Sequence, residues 1–144
     1  MTQVRHAGPA ATRANRLGYL VAVLANAAGL VVLHLWPGWE EIPVLTGNVR
    51  SVLGILDAAL IVGIAVNVVQ LLVKPSWVTA AGSLVTTAVS FAAMVRILQV
   101  FPFDLSDGWS TVVRLVLIVG IVGSAVGILA LLASLLRTRQ VERR

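Results

Sequence analysis

Four stretches of this chain, Leu17 to Trp36, Val49 to Val73, Trp77 to Phe101 and Thr111 to Leu136, are apolar almost throughout. Each matches the roughly 20 helical residues needed to cross about 30 Å of hydrocarbon. Inside a bilayer every backbone N–H and C=O must be satisfied internally, so an isolated run of this length reads as an α-helix. Punctuation falls between the runs: Pro37-Gly38 with Pro43, then Pro75, then Pro102 with Asp107-Gly108. Connections this short make chain neighbours antiparallel. The expected fold is an all-α integral membrane protein with four transmembrane helices in an antiparallel bundle. The membrane domain covers residues 17–136, a basic disordered tail precedes it over 1–16, and a basic tail follows over 137–144.

Composition excludes most alternatives. With 58% hydrophobic and 12% charged residues, the chain is too apolar for a soluble domain's surface. The absence of cysteine removes disulfides, thiolate metal sites and a cysteine nucleophile together. A net charge of +5 does not imply nucleic acid, because the basic residues sit at the ends of apolar runs rather than on a soluble face. Ten of the eleven basic residues are Arg, amid heavy Ala, Val, Leu and Gly use, which suggests a high-GC bacterial genome.

Charge asymmetry supplies the orientation. Arg5, Arg13, Arg16, Lys74, Arg137, Arg139, Arg143 and Arg144 gather at one set of helix ends. Glu40, Glu41, Asp104 and Asp107 occupy the other, beside Trp36, Trp39, Phe101, Phe103 and Trp109. The positive-inside rule then expects a multi-pass protein of the bacterial plasma membrane with both termini cytoplasmic. Arg16, the apolar run after it and Ala25-Asn26-Ala27 imitate a secretory signal with its cleavage site, but the run continues to Leu35, longer than such a segment needs.

The two halves resemble each other. Leu33 to Pro37 aligns with Leu98 to Pro102 at an offset of 65, and Val49 to Leu53 with Val113 to Leu117 at an offset of 64. Each half is then a helix, an acidic loop and a second helix opening with Arg, a parallel hairpin duplication rather than an inverted repeat. An aromatic before Pro and an Arg at a helix start are also what any membrane interface selects.

Within the runs, a few polar and small residues stand out. Asp57 lies about 12 Å below the loop-side boundary of the second helix at 1.5 Å per residue. A charged Asp at that depth costs about 2.5 to 3.5 kcal/mol on insertion scales, so it needs a partner, water or a proton. Arg50, Arg96 and Arg114 lie toward the same side. The expected network joins Asp57 to Arg96 and Arg114, aided by His34 and Gln99. It acts either as a proton- or ion-coupled element or as an ion pair fixing helix register. Asn67, with Asn26 and Gln70, reads as an amide joining helices. Thr79, Ser83, Thr86 and Ser90 form a hydroxyl stripe that can bond back to its own helix. Gly120, Gly123, Gly127, Ala130 and Ser134 form a stripe of small residues suited to close helix packing.

Chemistry is sparse. The first helix has no acid of the kind small multidrug exporters depend on, paired intramembrane His ligands for haem are missing, and no phosphate loop or metal motif occurs. No enzyme activity, cofactor or metal is expected. The leading functional expectation is helix-mediated association, as a homo-oligomer or an accessory subunit within the lipid bilayer. The alternative is a small transporter or channel protomer with Asp57 and Arg96 in its path.

Overall fold

The computed structural model describes residues 9–73 and 76–142, with side chains over 13, 15–73 and 77–136. Arg5, Lys74, Arg143 and Arg144, part of the charge asymmetry above, lie outside the described residues. The protein is all-helical: α1 (Pro9–His34), α2 (Arg50–Leu72), α3 (Ser76–Val100) and α4 (Asp107–Glu142), with 3₁₀ turns at Trp39–Glu41 and Gly47–Val49. Each long helix contains a stretch long and apolar enough to cross a membrane, Asn15–His34, Gly47–Leu72, Trp77–Val100 and Asp107–Leu136.

α2 and α3 begin and end within a residue of the expected boundaries, because Pro and Gly bracket both. α1 starts eight residues before the expected Leu17, so Pro9 to Arg16, expected to be disordered, are helical. Proline suits a first helical turn, where its missing N–H has no partner to lose, and Ala10 and Ala11 continue with high helix propensity. α4 likewise opens at Asp107 rather than Thr111, with an acid in the first turn where the helix dipole favours it.

The helix ends on the loop side are tightly closed. Leu35 and Trp36 both donate to the Val31 carbonyl, and Gly38 donates to Val32 from a positive φ of 86°. α3 stops at Phe101, whose N–H donates to the Ile97 carbonyl at 2.7 Å while its φ is 43°. This is a left-handed helix cap followed, as such caps often are, by proline.

α1 packs along α2, α2 along α3 and α3 along α4, while every other pair of helices touches weakly at most. The helices therefore form an open row, not a closed ring. Each seam is set by a glycine that admits a neighbour. A Cβ at Gly63 would lie 2.8 Å from the Asn26 amide nitrogen, one at Gly82 would lie 2.7 Å from Val66 Cγ1, and one at Gly120 would lie 2.8 Å from Met94 Sδ. Few side chains are fully enclosed: Val49, Val52 and Ala93 are the buried hydrophobic residues among those described.

At one end the two longer loops meet. Thr46 donates to the Pro102 carbonyl at 3.0 Å, Asp104 donates to the Val44 carbonyl at 2.9 Å, and Leu45 and Phe103 form an antiparallel bridge. Pro102 is buried beneath this junction.

Candidate functional site

The polar residues of interest cluster below the joined loops, and α2 distributes them between its two neighbours. Asp57 stands seven residues into α2, about 10 Å along its axis. Its carboxylate meets His34 Nε2, at the last residue of α1, at 2.7 Å. The pair is partly exposed, with side-chain accessibilities of 44% for His34 and 29% for Asp57. The expected partner was Arg96, and the structure does not bring it there. Arg96 lines a groove between α2 and α3 together with Ser51, Ile55 and Gln99. Ile55 and Asp57 are two residues apart, about 200° around a helix, so α2 presents them to opposite neighbours.

Each of the other two arginines has an aromatic partner. Arg50 lies 5.2 Å from the Trp39 ring centroid and 3.3 Å from Glu40 Oε1. Arg114 lies 4.0 Å from the centroid of Phe101, whose ring packs edge-on against Phe103 at 5.5 Å. Cation–π contact of this kind is worth about 0.5 to 1 kcal/mol when exposed. Neither arginine joins Asp57.

The amides and hydroxyls mostly serve their own helices. Asn67 donates to Gly63 and Asn26 to Ala22, one turn back in each case, while the Asn26 side chain also fills the space left by Gly63. Gln70 alone among these amides crosses a seam, donating to the Thr79 carbonyl of α3 at 3.2 Å. Thr86 and Thr87 bond back to Gly82 and Ser83.

The small-residue stripe of α4 divides in two. Gly120 faces Met94 and a Cβ at Gly127 would lie 4.0 Å from Thr87 Cγ2, both on α3, whereas a Cβ at Gly123 would meet nothing. Ala130 and Ser134 are exposed, and the Ser134 hydroxyl donates to the Leu131 carbonyl. Seven-residue spacing returns Gly127 to the face of Gly120, while Gly123 sits about 60° round, outside the seam.

Among the described residues no three His, Asp or Glu side chains gather as a metal site. Among the described residues no hydroxyl bonds to His34 or Asp57. What the arrangement can do is hold α1 to α2 and present three guanidinium groups near one end of the row. No family model, curated protein or solved structure matches this chain. Its class is defined by its architecture: among the described residues it is all-helical, with four helices of membrane-span length and composition.

Proposed function

We propose that this is a small integral protein of the bacterial plasma membrane that works by helix association, as a homo-oligomer or as an accessory subunit of a membrane complex. The observation that carries this reading is the open row. α1 and α4, its two edges, each leave an apolar face uncovered. On α1 it comprises Leu17, Val21, Leu24, Ala28 and Val31. On α4 it comprises Val112, Val116, Val119, Gly123, Val126, Ala130 and Ala133, all exposed. Alternating steps of three and four residues give the 3.5-residue period of a left-handed helix seam. On α4 the seam is small and β-branched, which suits close approach and costs little side-chain entropy on packing.

An antiparallel arrangement is supported by the contacts, since the partner of Asn26 is Gly63, that of Gly29 is Leu60 and that of His34 is Asp57. One number rises as the other falls. The junction of the two acidic loops supports placing both at one membrane face, and the positive-inside rule makes that the outer face, with the termini cytoplasmic. The transporter alternative has less support, because Asp57 of α2 meets His34 of α1 whereas Arg96 of α3 lines the groove on the other side of α2.

Gly123→Leu and Gly120→Leu test the association reading in lipid vesicles. Energy transfer between labelled copies of the wild type should fall to background for Gly123→Leu, while its thermal stability stays within about 0.5 kcal/mol of wild type. Gly120→Leu should cost about 1 to 3 kcal/mol, because its side chain displaces Met94. A wild type that is monomeric at every protein-to-lipid ratio sinks the homo-oligomer form. Capture of a partner sensitive to Gly123→Leu would then establish the subunit form.

A further inference from the structure

Three arginines lie near the loop end of the row, and two have partners. Arg50 is held by Glu40 and Trp39, and Arg114 by the Phe101 ring. Arg96 has neither a carboxylate nor a ring among the described residues, and Gln99 makes no hydrogen bond there. Both line a groove of about 440 Å³ between α2 and α3. The groove is polar at one end and apolar at the other. Arg96, Gln99 and Ser51 stand toward the loops, while Ile55, Phe91 and Ala92 stand up to two turns deeper along the same helices.

We infer that this groove binds one phospholipid with a net negative headgroup. The inference rests on the reading of the four helices as membrane spans. The lipid phosphate meets the Arg96 guanidinium, whose planar fork of donors matches phosphate oxygens, and the Gln99 amide lies beside it. One acyl chain runs down the groove against Ile55, Phe91 and Ala92. Charge decides the headgroup. A zwitterionic lipid brings an ammonium as well as a phosphate, and no carboxylate lines this groove to receive it. Asp57 cannot serve, since it faces α1 and is bonded to His34.

Native mass spectrometry of the purified full chain, with added phosphatidylglycerol or phosphatidylcholine of identical acyl chains, tests the site. One basic residue near an anionic lipid surface is worth about 1 kcal/mol, so the wild type should favour phosphatidylglycerol about fivefold. Arg96→Gln should abolish that preference, Arg96→Lys should keep most of it, and Arg114→Gln should leave it unchanged. Ala92→Phe, which fills the chain-binding half and leaves the charge intact, should lower occupancy by both lipids. That variant also decides the matter if Arg96→Gln fails to fold. Equal binding of the two lipids by wild type, or a preference that survives Arg96→Gln, overturns the proposal. Displacement of phosphatidylglycerol by millimolar inorganic phosphate overturns the lipid source in favour of a soluble anion. Release of the protein from membranes by alkaline carbonate would defeat the membrane reading itself, whereas an embedded protein without lipid preference defeats only this site.

Discussion

His34 and Asp57 illustrate how an ionisable residue is accommodated on an apolar helix. Desolvating a carboxylate is costly, and the hydrogen bond from an imidazole repays part of that cost whether the ring is neutral or charged. The pair is only part-buried, and on the membrane-span reading proposed above its strength belongs with interhelical polar contacts in membranes, which average about 0.6 kcal/mol and reach about 1.7. A double-mutant cycle of His34→Ala and Asp57→Asn, read as thermal stability in detergent, should therefore give a coupling of about 0.6 to 1.7 kcal/mol. Arg96→Gln should show no coupling to Asp57→Asn; a coupling above about 0.5 kcal/mol would reinstate the Arg96 network. The sequence made Asp57 conspicuous but did not reveal its partner, because three arginines and one histidine all lie toward the same end of the helices. What separates them is angle and register. A hairpin centred near Leu45 sets His34 level with Asp57, but using that requires the loop's conformation, and this loop is shaped by two 3₁₀ turns and the contact with Pro102.

At the scale of elements, α2 and α3 were legible because apolar runs bounded by proline leave little freedom in where a helix ends. α1 was not, since the rule that locates a membrane span says nothing about a helix continuing into water through Ala- and Arg-rich sequence. The conformation that ends α3 was equally hidden. Phe101 occupies a left-handed conformation that costs an L-residue about 1 to 2 kcal/mol and that glycine adopts freely. Its ring offsets that cost by packing beneath Arg114 and against Phe103. Two substitutions separate these effects. Phe101→Ala loses the ring and keeps the strained backbone, whereas Phe101→Gly loses the ring and relieves the strain. Phe101→Gly should consequently be the more stable of the two by about 1 kcal/mol in thermal unfolding, with both below wild type. Equal stabilities would mean that the backbone at Phe101 is unstrained.

For the whole molecule, the joined loops matter as much as the helices. Three seams between chain neighbours would let two hairpins slide or splay, and the backbone bonds Thr46 to Pro102 and Asp104 to Val44 tie the hairpins together at the loop end. At the opposite end the short connection from α2 to α3 and the bond from Gln70 to the Thr79 carbonyl join the same two hairpins. The tie between the loops constrains topology, because loops that share backbone hydrogen bonds must lie on one side of any membrane the helices cross. The chain has no cysteine, so single cysteines can report this directly. In intact bacterial spheroplasts a membrane-impermeant maleimide should label Glu41→Cys and Ser106→Cys to a similar extent, and Arg13→Cys only after permeabilisation. Labelling of Arg13→Cys alone would invert the orientation while preserving the loop junction. Labelling of one loop without the other would contradict the junction, and with it the arrangement that brings α1, α2, α3 and α4 into a single row.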